Sequence, residues 1–222
     1  MRKTFFFVFL VFALIANAAV FSVDPWIVPG GRLSVTVGWP SLGVRFGLLN
    51  FLEFGGSVRE LGAYMKAGFR LGSLGFGGGI SMVPGMATAI FGSAGYQNEG
   101  FEIVGGGYVS QSVEVAASGE EYGYAYSFST EVWNLIASEK NSIYRFGAFF
   151  RWSYGRFWEE EMASVYEGAL MIQGDFKDVW IFKGIILVGG LDFFYNEKDP
   201  TIDLVNNLGV SFSITASVDL FR

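Results

Sequence analysis

The stretch LGVSFSITASVDLF, Leu208 to Phe221, has an apolar residue at every second position: Leu208, Val210, Phe212, Ile214, Ala216, Val218 and Leu220. Gly209, Ser211, Ser213, Thr215, Ser217 and Asp219 stand between them. A period of two belongs to a β-strand with one apolar and one polar face. The run is about twice the usual strand length of 5–6 residues. Any fold for this chain must shelter a long apolar strip while its reverse side meets something polar and small.

The same period recurs along most of the chain. It runs through Arg32–Trp39, Leu42–Leu48, Leu52–Val58, Gly62–Gly72, Leu74–Met82, Met86–Tyr96, Phe101–Ser118, Tyr122–Val132, Tyr144–Tyr154, Ser164–Phe176 and Trp180–Tyr195. Phe91, Val104, Tyr108 and Phe149 interrupt it by placing bulk on the polar side. Lys183 and Asp192 have opposite parity, which predicts a bulge near Gly189-Gly190. No helical period is sustained. The pattern predicts an all-β chain of about twelve strands, with ten as the alternative if two short early runs are one.

The first residues read differently. MRKTFFFVFLVFALIANA has two cations, Arg2 and Lys3, then an apolar run from Phe5 to Ile15 and a small-x-small site at Ala16-Asn17-Ala18. That is the layout of a secretory signal peptide over residues 1–18. An uncleaved anchor is the alternative, but the run is shorter than the roughly 20 apolar residues that a helical span needs. Cleavage leaves residues 19–222 as one domain outside the cytoplasm. Twelve strands would then have about 17 residues each with their turns, and a membrane-crossing strand takes about 9–11.

Which face meets water is decided by charge. A soluble surface is about 25–35% charged, whereas only 16% of this chain is charged and 51% is hydrophobic. The polar side of the last strand carries a single charge, Asp219, among Gly, Ser and Thr. Small residues suit a crowded, concave interior. The wide, aromatic face suits lipid, and a closed barrel is the only sheet that can stand in lipid without unpaired edges. The chain therefore reads as a closed antiparallel up-and-down transmembrane β-barrel.

Signal peptide, alternating strands, aromatic strand ends and a terminal amphipathic strand together resemble a bacterial outer-membrane β-barrel protein. VRFGLLNFLEFGGSV, Val44 to Val58, is similar to hairpins of such barrels, with an Arg-aromatic-Gly strand end, a tight turn and one inward Glu. Such barrels usually end in an aromatic residue; here Leu220-Phe221-Arg222 closes the chain. The resemblance implies outer-membrane lipid and the barrel-assembly machinery as partners. With both ends in the periplasm, Leu49-Asn50, Gly72-Ser73 and Ser138–Ser142 become periplasmic turns. WEEEM (Trp158–Met162) and NEKDPTID (Asn196–Asp203) become outer loops.

The expected lumen-facing charges are Arg32, Arg45, Glu53, Lys66, Arg70, Glu131, Arg145, Arg151, Glu167, Asp175 and Asp219, with Arg59, Glu102 and Glu114 beside them. Trp39, Tyr122, Tyr144, Trp152, Tyr154, Trp180 and Tyr195 are the expected interfacial aromatics. The charges serve either a selective pore wall or a lumen closed by paired side chains, with basic and acidic clusters on opposite arcs in both cases. Glu159-Glu160-Glu161 reads as a solvated loop rather than a cation site.

Chemistry is thinly represented. The chain has no cysteine and no histidine, which removes Cys-ligated metal sites and the commonest general base. No motif marks a Ser–Lys or paired-carboxylate site, and no cofactor is implied. The net charge of −6, without a basic stripe, argues against nucleic acid. The expected function is a structural scaffold or a narrow passive pore for ions and small solutes. A secreted soluble barrel that binds an apolar ligand is the alternative, and a lipid- or peptide-acting membrane enzyme is a more distant one.

Overall fold

The computed structural model describes residues 25–39, 42–57, 62–83, 87–116, 119–156, 162–197 and 208–220. The expected signal peptide, Arg59, the Glu159–Glu161 run and most of NEKDPTID lie outside these residues. Twelve antiparallel strands form one closed barrel in sequence order. They are β1 (Arg32–Trp39), β2 (Leu42–Leu49), β3 (Leu52–Ser57), β4 (Gly62–Leu71), β5 (Leu74–Val83), β6 (Ala87–Gln97), β7 (Phe101–Ala116), β8 (Gly119–Glu139), β9 (Ser142–Arg156), β10 (Met162–Val179), β11 (Phe182–Asn196) and β12 (Leu208–Asp219). Ten strands, the alternative count, is excluded.

Closure comes from β1 and β12, paired from Arg32↔Asp219 to Trp39↔Phe212. On the inner side this seam is a ladder of side-chain contacts. Arg32 Nε donates to Asp219 Oδ1 at 2.8 Å, and the Ser34–Ser217 and Thr36–Thr215 hydroxyl pairs each meet at 2.8 Å. Paired hydroxyls satisfy one another where a lone one would be left without a partner. With no free edge, every strand has two neighbours.

Five short connections gather at one end: Asn50-Phe51, Gly72-Ser73, Asn98–Gly100, Lys140-Asn141 and Trp180-Ile181. The structure corrects the expected turn at Ser138–Ser142, because β8 continues to Glu139 and β9 starts at Ser142. The expected bulge at Gly189-Gly190 is also absent: β11 keeps unbroken register there with both neighbours. Asp192 points inward, while Lys183 lies beside the Trp180-Ile181 turn, its Nζ 3.4 Å from Asp178 Oδ1. A strand end can face outward with a charge because it lies beyond the apolar belt. The register shifts occur instead between Gly47 and Leu49 in β2 and between Leu135 and Ala137 in β8.

The alternation divides the wall cleanly. Along β4, Ala63, Met65, Ala67 and Phe69 are exposed, while Tyr64, Lys66 and Gly68 are buried. Large apolar side chains stand out on all sides of the barrel, with Phe69 59%, Ile90 70%, Ile172 61% and Phe212 58% exposed. This is the reverse of a water-soluble barrel, where such residues fill the inside.

Candidate functional site: the barrel lumen

The lumen holds a chain segment that the period-two reading does not place. Pro25–Pro29, immediately before β1, crosses the inside of the barrel near its turn end. Glycines on the wall make room for it. A Cβ on Gly75 would overlap the Trp26 indole, one on Gly47 would overlap the backbone of Val28 and Pro29, and Gly77 lies against Pro25. Any larger residue at Gly75 or Gly47 would displace the strap.

Charged side chains hold the strap at both sides. Glu53 and Lys66, on neighbouring strands and directly paired, are each 0% exposed. Glu53 accepts from Arg45 Nε at 2.9 Å, Arg45 Nη2 at 3.0 Å, Tyr64 Oη at 2.7 Å and the Val28 backbone N–H at 2.8 Å. Its Oε1 lies 3.6 Å from Lys66 Nζ. The Trp26 carbonyl accepts from Lys66 Nζ at 2.9 Å and Arg45 Nη2 at 3.1 Å. A buried carboxylate with this many donors is compensated for its lost hydration; one with fewer would not be.

Across the lumen, Trp26 Nε1 donates to Glu102 Oε1 at 2.7 Å. Glu102 Oε2 accepts from Arg145 Nη1 and Gln97 Nε2, both at 2.9 Å. The Arg70 guanidinium stands 5.1 Å from the Trp26 ring centroid, within cation–π range, and its Nε donates to the Gly72 carbonyl at 2.7 Å. The strap thus braces β2, β3 and β4 against β7 and β9.

Toward the other end the interior is packed from one side. Tyr64, Ala89, Phe91 and Tyr108 form a buried cluster, with the Tyr64 and Phe91 rings edge to face at 6.4 Å. Back at the level of Glu102, which it faces across the β7–β8 ladder, Trp133 covers Gly147 and its indole N–H donates to Glu131. Arg151 pairs with Glu167 from the facing position on β10. The opposite arc differs. The inward residues of β12 and most of those on β1 and β11 are only partly buried, among them Thr36, Asp192, Ser211, Ser213, Thr215, Ser217 and Asp219. β1 and β12 contribute little but glycine and hydroxyl residues there, which are too short to reach the packed side. Asp192 lies on this wall, and Asp175, on the adjoining β10, is also partly accessible. Their hydrogen bonds come from neutral groups, Gln173 Nε2 at 2.7 Å and Ser211 Oγ at 3.0 Å.

The interfacial aromatics stand on the outer face. Trp152 and Tyr154 stack at 6.2 Å on β9, Tyr166 and Tyr195 meet at 6.0 Å, and Tyr144 packs edge-on to Phe176. Trp180 occupies the β10–β11 turn, 94% exposed and at φ 60°, an unusual conformation for a bulky residue. The side chains of Trp39, Tyr122 and Glu114 lie outside the described residues. No three acidic, histidine or cysteine side chains gather into a metal-holding group among the described residues.

A closed antiparallel barrel with an apolar outer belt and a charged lumen is the architecture of outer-membrane β-barrels. No protein-family model and no curated protein matches the chain. Among solved structures, it is similar to the β domain of the Bordetella autotransporter Brka, at 10% identity and a TM-score of 0.46, over 87% of this chain and 100% of that one. The assignment of architecture stands on the strand pairing itself.

Proposed function

We propose that this chain is an outer-membrane barrel that acts as a narrow passive pore for ions or small solutes, without catalysis. The carrying observation is the uneven filling of the lumen. The strap, the aromatic cluster and the ion pairs other than Arg32–Asp219 occupy the β2–β10 side, while the inner wall of β11, β12 and β1 keeps solvent-accessible surface, lined on β1 and β12 mainly by hydroxyls. A wholly packed interior would bury both sides alike. The exposed apolar belt supports a lipid setting over a secreted barrel, because contiguous apolar surface of that extent is unfavourable in water. Outer-membrane lipid and the barrel-assembly machinery are the proposed partners, and the turn end is the proposed periplasmic end.

The test is the conductance of residues 19–222 refolded into a planar bilayer. Small, uniform steps are expected. A folded, inserted barrel without conductance would replace the pore with a structural scaffold, and recovery in the soluble fraction of fractionated cells would replace it with the ligand-binding alternative.

A further inference from the structure

Charge is distributed in the lumen as unevenly as bulk. Arg45 and Lys66 sit on Glu53, Arg145 on Glu102, Arg151 on Glu167 and Arg32 on Asp219. The two cations nearest the strap are further capped by the Trp26 carbonyl, and Arg70 is held at the rim by the Trp26 ring and the Gly72 carbonyl. The strap therefore covers Arg45 and Lys66 and leaves Arg70 at the exposed rim. Asp175 and Asp192 are different: among the described residues no cation stands within ion-pair reach of either, and each keeps accessible surface, Asp192 on the unfilled arc and Asp175 on β10 beside it. Asp175 faces Ile186 across the β10–β11 ladder, and Asp192 is six residues further along β11. The two carboxylates are therefore about 20 Å apart along the strand at roughly 3.3 Å per residue.

We propose that the strap divides the lumen into a filled half, where the cations are paired with Glu53, Glu102 and Glu167, and an accessible half, where Asp175 and Asp192 carry acid charge with no cation in ion-pair reach, so that the passage prefers small cations. A partly hydrated carboxylate in a narrow, low-dielectric slot concentrates counter-ions of opposite sign. Hydroxyls from Ser211 and Ser213 line the space between, with Thr36 and Thr215 level with Asp175, and can replace part of a cation's hydration shell. This inference rests on the pore reading and adds the class of solute.

The experiment is the reversal potential of the refolded barrel in a potassium chloride gradient, for wild type, Asp175→Asn, Asp192→Asn, the double variant and Asp178→Asn. Asp178 lies at the exposed turn and changes net charge without touching the lumen. Wild type is expected to favour potassium over chloride, and each lumen variant to lower that ratio by about threefold. The double variant should lower it further, and Asp178→Asn should leave it unchanged. Heat-modifiable mobility on gels confirms that each variant is folded. Anion preference in wild type, or equal ratios in wild type and the double variant, overturns the inference and leaves the pore reading intact. Folded protein without conductance overturns the pore reading itself.

Discussion

The indole N–H of Trp26 and the carboxylate of Glu102 meet at 2.7 Å across the barrel, although 76 residues separate them in the chain. One side chain therefore ties the strap to the far wall, while its own carbonyl is gripped by Lys66 and Arg45 on the near wall. Trp26→Ala removes both the bond and the ring that packs on Gly75. The expected cost is about 3 kcal/mol, the low end for truncating a packed Trp, read as a lower melting transition of the heat-modifiable band. Trp26→Phe should recover part of it by restoring packing alone.

Glu53 and Lys66 are expected to behave as a unit with Arg45. Glu53→Ala leaves two cations without their shared carboxylate and should cost about 3–5 kcal/mol. Lys66→Met should cost less, because Arg45 still compensates Glu53. Thermal unfolding of the purified barrel checks the order; equal losses would show that Arg45 alone does not compensate Glu53.

The two faces of β12 should respond oppositely to charge. Arg at Ile214, or at Phe212 or Phe69 on the same outer surface, should destabilise by about 2–4 kcal/mol near mid-membrane. Ser213→Arg should cost less, since Ser213 points toward the accessible arc. Equilibrium unfolding from liposomes measures both. Tolerance at Ile214 with intolerance at Ser213 would exchange inside for outside.

A protease site inserted between Glu160 and Glu161 should be cut on intact cells, whereas one inserted at Asn50 should be protected until the outer membrane is breached. Immunoblots before and after permeabilisation decide this, and the reverse pattern would invert the proposed orientation.

Much of the wall is legible in the sequence because one local variable, side-chain parity, sets it. Phe212 and Ser213 fall on opposite faces by position alone. Even the interruptions carried meaning: Phe91, Tyr108 and Phe149 break the alternation because they fill the lumen. The strap was not legible, since PWIVP has no periodicity and its placement depends on partners as distant as Glu102. A signal does exist in hindsight. Inward positions such as Gly47, Gly68 and Gly75 are empty of side chain at the same end of the barrel, and a lumen wall left bare there calls for something else to cover it. The misplaced bulge at Gly189-Gly190 had another cause, as parity cannot tell a charge inside the belt from one at a strand end.

The placement of the strap has a consequence for the order in which the barrel forms. Val28–Glu53, Trp26–Arg45 and Trp26–Lys66 span 25, 19 and 40 residues, while the seam contact Arg32–Asp219 spans 187. Loop-closure entropy rises with separation, and distant pairings form slowly. The first hairpins can therefore condense around the strap as an early nucleus, its ion pairs already screened from water. Pairing of β1 with β12 would then come last, and substitutions at Glu53 should retard the appearance of folded barrel more than those at Thr36 or Thr215 do, relative to their effects on final stability.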